Sequence, residues 1–302
     1  MIPHAIAVAT GKGGSGKTSI AANLAAIAAK AGWTVLAVDL DPQGNLGLDL
    51  GYLADPRYDG GRSLFAAVAA GTAPDPIRAV RDRLDVIAAG PHHTVALADT
   101  IQSARLRNPG AVNPIGPVLE TLADNYDLIV LDTPPSNGHA LAAAALEIAH
   151  YVVAPVTSDP AGLVALQVLA GEVTAARHTN PELEFLAAVA FRIASSARHI
   201  RAELERAVNE VLPGALLTRM IRTSELTAQQ TRAGGEVAHE YAAGAGVDVG
   251  ALFQALRRGE TPPVRKSTAA AGVADDYIAV VRELLDRYTA RQTEWDTEGV
   301  GE

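Results

Sequence analysis

The sequence predicts an α/β fold: a mostly parallel, twisted sheet of about seven or eight strands with helices on both faces. Three observations lead there. Short β-rich runs alternate with helical stretches along most of the chain. Most of those runs lack polar alternation, as strands covered on both faces should. Hydrophobic residues make up 48% of the 302 residues while aromatics make up only 4%, so a large core is built from Ala, Val, Leu and Ile.

The expected strands are AIAVAT (5–10), TVLAVDL (34–40), RLDVIAAG (83–90), YDLIVLD (126–132), YVVAPV (151–156), FLAAVAF (185–191) and ALLTRMI (215–221). Between them, 17–31 reads as a helix ended by Gly32, and 197–211 as one ended by Pro213 and Gly214. Segment 43–80 is rich in Gly, Pro and Asp and reads as a long excursion with a short helix near 63–70. Residues 233–272 are rich in Gly and Ala and contain a loop-rich insertion near 244–270. The chain closes on an amphipathic helix near 274–290, whose Tyr277, Ile278, Val281, Leu284, Leu285 and Tyr288 share one stripe. The acidic tail from Gln292 onward is expected to fray. Residues 1–302 are expected to form a single domain.

Composition removes several chemistries. With no cysteine, disulfides, thiolate zinc sites, catalytic cysteines and cysteine-ligated iron–sulfur clusters are excluded. The amino terminus runs straight into an apolar strand without a basic region or cleavage site. The longest apolar stretch, 141–156, is interrupted by Glu147, His150 and Pro155. A soluble, cytoplasmic chain with no membrane association is therefore expected. A net charge of -9 argues against wholesale coating by nucleic acid but leaves room for a local basic patch.

The chain contains four lysines, and two of them, Lys12 and Lys17, lie in GKGGSGKTS (11–19). Gly11, Gly16, Lys17 and Thr18 satisfy G-x-x-x-x-G-K-[ST] between an apolar strand and a helix. Glycines there let backbone N–H groups curl round a phosphate, and the helix N-terminus adds favourable dipole charge. Lys17 supplies a compact charge to the β/γ-phosphates, where arginine's planar fork fits poorly, and Thr18 a hydroxyl to Mg²⁺. The motif implies a nucleoside triphosphate with Mg²⁺, held by Gly11, Lys12, Gly13, Gly14, Ser15, Gly16, Lys17, Thr18 and Ser19; the resemblance described next makes it ATP. Two further strands end in carboxylates, VDLDPQGN (38–45) and VLDTPPS (130–136), at the carboxyl ends where open α/β sheets bind ligands.

KGGSGKT resembles the deviant Walker A loop of the ParA/MinD superfamily. In that family the first lysine reaches across a nucleotide-sandwich dimer to the partner's phosphates; here that residue is Lys12. The resemblance makes Asp132 the Walker B carboxylate, acting on Mg²⁺ through a water. It makes Asp39 a support of the metal's water shell and Asp41 the group that orients the attacking water. Lys12, Lys17 and Asp41 are thus the expected catalytic residues, and Thr18, Asp39 and Asp132 the metal site. MIRTSEL resembles the loop that packs on adenine, pointing to Ile221 and Arg222, and APVTSDPAGLVAL places Asp159 at the dimer interface. The match covers residues 5 to about 240 and the final helix; the insertion departs from it.

Among relatives, nitrogenase-type reductases need cysteines, MinD-type proteins end in a basic membrane helix, and bacterial tyrosine kinases carry a terminal tyrosine cluster. Arsenite- and tail-anchor-type pumps are usually longer. A Soj-like ParA ATPase fits best, with no helix-turn-helix domain expected before a strand that begins by residue 5. The resemblance implies an ATP-bound homodimer that binds non-specific DNA, associates with the nucleoid and answers to a ParB-like adaptor. The seven arginines of 192–232 outnumber its four glutamates, and Arg192, Arg198, Arg201 and Arg222 are expected DNA contacts. Arg257 and Arg258 in the insertion join them, while Glu225 stands where relatives often have a basic residue. The alternatives are a MinD-like membrane-surface positioning ATPase and a nucleotide-gated scaffold with negligible turnover.

Overall fold

A computed structural model describes residues 1–108, 110–193, 198–244 and 269–299. Eight strands form one sheet: β1 (Ile2–Val8), β2 (Val35–Asp39), β3 (Ile77–Arg81), β4 (Leu84–Ile87), β5 (Leu128–Asp132), β6 (Ala149–Val156), β7 (Glu184–Ile193) and β8 (Leu216–Arg222). Their order is β3-β4-β2-β5-β1-β6-β7-β8, parallel throughout except for β3, which pairs antiparallel with β4.

The central strands are buried on both faces because successive side chains feed two separate cores. On β1, Ala5 and Ala7 face one core while Ile6 and Val8 face the other; on β5, Ile129 and Leu131 oppose Leu128 and Val130. The first core lies under α3 (Arg62–Ala70), α4 (His93–Arg107), α5 (Ile115–Ala123), α6 (Ala140–Ile148), α7 (Pro160–Ala176) and α8 (Arg198–Val211). The second lies under α1 (Lys17–Lys30), α2 (Asn45–Leu50), α10 (Ala238–Ala243) and α11 (Ala270–Gly299), with α9 (Glu225–Gly234) beside α2 and α10. Helix α1 buries Ala21, Ala22, Ala25, Ala26, Ala28 and Ala29. Such small side chains let it lie close to the sheet, which is how a core poor in aromatics closes.

Several boundaries correct the sequence reading. The first strand is Ile2–Val8 rather than 5–10, because residues 9 and 10 already turn toward the loop. Strand 83–90 shortens to Leu84–Ile87. The excursion at 43–80 contains α2, a 3₁₀ turn (Tyr52–Ala54) and the edge strand β3 as well as α3. Strand β3 escaped notice because its pattern breaks at Ala79, whose φ is 52° and whose N–H goes to the Asp85 side chain instead of the ladder.

The last helix runs to Gly299, not 290. It does not fray where expected, because Gln292 donates to the Pro3 carbonyl at 2.5 Å and Trp295 packs on His150. The same helix closes the open edge of β8. Glu283 accepts the N–H groups of Thr218 and Arg219 at 2.8 and 3.0 Å, and Asp276 that of Arg222 at 3.0 Å. Arg287 donates to the Gly214, Ala215 and Leu216 carbonyls. Side chains thus replace a ninth strand, satisfying an edge that would otherwise recruit another chain. The expected insertion lies almost wholly outside the described residues, and Arg257 and Arg258 with it. Among the described residues no helix is long and apolar enough to cross a membrane.

Candidate functional site

Sheet order brings the predicted residues together. Strand β1 sits at the centre, flanked by β5 and β6, so the loop leaving it opens into the crevice above the carboxyl ends. In the β2–β5 register Asp39 lies directly beside Asp132, and Val8, the last residue of β1, lies on the other side of Asp132. Loop 11–16 and the two carboxylates therefore share one end of three adjacent strands. A cavity of about 920 Å³ opens there, lined by the loop, Asp41, His139, Phe191, Ile221, Arg222 and residues of α9 and α11.

The loop needs its glycines. Gly14 and Gly16 have φ of 72° and 93°, a region that L-residues rarely adopt. At Gly16 a Cβ would also stand 2.4 Å from the Phe191 ring, so the ring walls the loop and no side chain fits between. Lys17 is 6% exposed. Its Nζ donates to the Lys12 carbonyl at 3.3 Å, which also accepts Ser15 Oγ at 2.9 Å. Burial lowers the Lys17 pKa, and the Asp132 and Asp41 carboxylates oppose that shift.

The carboxylates are set for a hard cation. Both side-chain oxygens of Asp132 are buried with no hydrogen-bond partner. Asp39 is fully buried, taking the Asp41 N–H on Oδ1 at 3.0 Å and the Tyr52 hydroxyl near Oδ2 at 3.5 Å. Burial pushes both groups up, with Asp132 adding to the shift on Asp39 and Asp41 to that on Asp132, while the Thr18 hydroxyl and the Lys17 ammonium pull Asp132 back down. Two acids without a cation between them are a costly arrangement. Among the described residues no set of three His, Cys, Asp or Glu side chains forms a metal cage. Carboxylate oxygens beside a threonine hydroxyl and a phosphate loop instead fit Mg²⁺, which keeps several waters and takes few protein ligands.

Lys12 is elsewhere. Its ammonium grips both oxygens of Asp159 at 2.8 and 2.9 Å, with side chains 34% and 46% exposed. Asp159 also caps α7 by accepting the Gly162 N–H, and Lys12 holds its carboxyl at about 2. From that cap α7 runs past the loop, and a Cβ on Gly11 would touch Ala165 and Val168. The helix carries one ionisable residue, Glu172, and exposes Val164 and Val168.

Of the remaining predicted residues, Ile221, Arg222 and Arg192 line the same cavity and Arg201 does not. Ile221 is buried at the cavity wall. Arg222 beside it is bound in a fork by Asp276 at 2.6 and 2.8 Å. Arg192 pairs with Glu225 at 2.7 Å, and Arg201 donates to the Thr218 carbonyl at 2.6 Å. Arg198 opens α8. Sequence reasoning missed Phe191, His139, Asp49 and Arg232, which line the same cavity. Phe191 alone carried a signal, as a bulky residue at the carboxyl end of a parallel strand.

Comparison with known proteins agrees with this geometry. Residues 3–185 match the model of a family described as an AAA domain. The chain is 32% identical over 227 residues to the chromosome-partitioning ATPase Soj of Thermus thermophilus, covering 73% of this chain and 83% of that one. It is 32% identical over 206 residues to protein IncC of Escherichia coli; that match takes in 66% of this chain but spans about half, 54%, of IncC. In fold it resembles apo McdA of Cyanothece, with a TM-score of 0.68, 18% identity, and 93% and 99% of the two chains covered. The chain belongs to this AAA-domain family and to the ParA/MinD superfamily of deviant Walker A P-loop ATPases.

Proposed function

We propose that this chain is a Mg²⁺-dependent ATPase that dimerises around ATP and positions or segregates a cargo on non-specific DNA, in the cytoplasm at the nucleoid, under a ParB-like adaptor. In this reading Lys17 holds the β/γ-phosphates from within the loop, while Thr18 and Asp132 hold the metal's side of the site. Asp39 supports the metal's waters. Asp41, whose Oδ1 is fixed by the Gln43 N–H at 3.0 Å, orients the attacking water. Bound Mg²⁺ supplies charge neutralisation of the phosphate oxygens. Ile221 walls the base, and the Arg222–Asp276 fork holds the end of β8 in place beside it.

The observation that carries the dimer is the placement of Lys12. It sits on the rim of the loop rather than in it, paired with a half-exposed Asp159 beside the face of α7 that exposes Val164 and Val168. An exposed pair contributes about 0–1 kcal/mol. A partner's γ-phosphate, carrying more charge in a drier interface, therefore displaces Asp159 easily. Arg198 and Arg201 on α8 are the expected DNA contacts; Arg192 and Arg222 are paired with carboxylates, whereas Arg201 donates to the Thr218 carbonyl alone among the described residues.

Sedimentation tests this. Asp41→Ala with saturating ATP should sediment as a dimer, wild type with ADP as a monomer, and Lys12→Ala as a monomer with either nucleotide. A monomeric Asp41→Ala under ATP contradicts the sandwich. The trapped dimer should retard mixed-sequence DNA at 50 mM salt and lose about a thousandfold in affinity by 200 mM. Pelleting with anionic liposomes instead of DNA would favour the membrane-surface alternative.

A further inference from the structure

Across the cavity from the loop, Asp49 joins three elements. It is 7% exposed. Its Oδ2 accepts the Ser19 hydroxyl at 3.1 Å, and its Oδ1 accepts Arg232 Nε at 2.6 Å. Ser19 lies on α1 two residues after Lys17, Asp49 on α2 directly after the 39–45 acidic loop, and Arg232 on α9. All three line the cavity.

The joint is built, not incidental. Helices α2 and α9 end at Gly51 and Gly235, whose backbones meet so closely that a Cβ on Gly235 would stand 2.5 Å from Gly51 Cα. Arg81 ties the two ends together, donating to the Leu50 and Gly235 carbonyls at 2.7 and 3.1 Å and pairing with Glu240. Arg232 therefore projects from a fixed platform, with Asp49 occupying only its inner nitrogen. Its two outer nitrogens, four N–H donors in a plane, have no protein partner among the described residues.

We propose that Arg232 is a nucleotide-contacting residue that binds the α-phosphate, oriented for that contact by Asp49. This rests on the nucleotide site read above. The end of the phosphate chain follows from the loop: Lys17 and Thr18 serve the β/γ-phosphates and Mg²⁺. Ser19 is the next residue of the helix, and Ile221, read above as the wall of the base, lines the same cavity as Arg232. A planar guanidinium held at one nitrogen suits two phosphate oxygens, and prior anchoring lowers the entropy lost on binding. The other charged groups lining the cavity are Lys17 and Asp41 at the loop end, His139 on the loop before α6, the Arg192–Glu225 pair, Arg222 with Asp276 behind it, and Glu236 after α9. Of the other cations, Lys17 belongs to the β/γ end, Arg222 is held in a fork by Asp276, and Arg192 is held at one nitrogen by Glu225, which is far more exposed than Asp49.

The test measures binding of Mg·ATP, Mg·ADP and adenosine by calorimetry or competition. Arg232→Gln should weaken ATP and ADP by the same factor, about tenfold, and leave adenosine unchanged. The slope of log Kd against log salt should flatten in the variant, a change that mere loss of shape does not produce. Arg232→Lys, with its charge kept and its fork lost, should fall between wild type and Gln. If Arg232→Gln does not fold, Arg232→Lys still decides: wild-type affinity for both nucleotides overturns the proposal. Equal loss of adenosine binding would make the clasp purely structural, and loss confined to ATP would move the contact to the γ end; either result also overturns it. Lys17→Ala separates the two readings. If it binds ATP like wild type, the nucleotide site itself is wrong; if it fails to bind while Arg232→Gln is normal, only the present inference falls.

Discussion

The two ends of the sheet are built on opposite rules. At the amino-terminal end, both tryptophans of the chain join Tyr151, Tyr288 and His150 in one aromatic cluster. Polar handles there are matched: Tyr288 donates to the Asp127 carbonyl at 3.4 Å, and His150 Nδ1 meets the Pro3 carbonyl at 2.7 Å. At the carboxyl-terminal end, Asp132 has two buried oxygens without partners beside the buried acid Asp39, and Lys17 is buried with one long hydrogen bond. The aromatic cluster at the first end finds its partners within the protein, although Asn180 Oδ1, beside the start of β6, is buried without one. The other end is completed only by a ligand, so mutations at the two ends should separate stability from binding.

The largest effect should come from breaking the satisfied end. Tyr288 is 4% exposed, between Trp33 at 5.6 Å and Tyr151 at 5.7 Å. Tyr288→Ala leaves a cavity and an unpaired carbonyl, for a loss of about 3–5 kcal/mol. Denaturant unfolding reads that loss. ATP affinity of the folded fraction should be unchanged, and a weakened nucleotide site in this variant would deny that the ends are independent.

Breaking the unsatisfied end should do the reverse. Lys17→Ala removes the cation of the loop, and ATP affinity should fall a hundredfold or more, about 3 kcal/mol. Its melting temperature without nucleotide should stay within a few degrees, because the desolvation cost of Lys17 offsets its attraction to Asp132 and Asp41. Calorimetry with Mg²⁺ reads the first and thermal unfolding the second. Wild-type affinity in Lys17→Ala would remove the basis of the whole site.

The same contrast explains what was legible in the sequence. The loop and the carboxylates were readable because their roles are local: φ above zero at Gly14 and Gly16, a short lysine, an acid closing a strand. Sheet order was implied only as a class, since β1 reaches β5 and β6 across more than a hundred residues. Asp49 and Arg232 are separated by 183 positions, and neither sits in a motif. Strand β3 hid behind a broken alternation, and the tail read as frayed because its helix is held by Pro3 and His150 at the other end of the chain. Resemblance supplied the role of Lys12, and the structure adds Asp159 as its resting partner.

The smallest effect sharpens the comparison by making the unsatisfied end less costly. Burial raises the pKa of both Asp39 and Asp132, the latter to about 7; the Asp132 charge adds to the shift on Asp39, and Asp41 and Asp49 add to that on Asp132 against the opposing Thr18 hydroxyl and Lys17. Unfolded aspartates titrate near 4. Between about pH 4 and 7 the folded chain therefore binds more protons than the unfolded chain, and stability without ligand falls as pH rises through that window. Asp39→Asn removes one of the two charges. At pH 7.5 it should raise the melting temperature without ligand by about 2–4 °C, on the order of 1 kcal/mol. At pH 5 the wild-type pair already holds a proton, so the gain should shrink toward zero. Mg·ATP should reverse the ranking at pH 7.5, because wild type regains the interaction that Asn lacks. Thermal melts of both proteins at the two pH values, with and without Mg·ATP, decide the matter: an equal gain at pH 5 and 7.5 would show that the two carboxylates do not repel across the register.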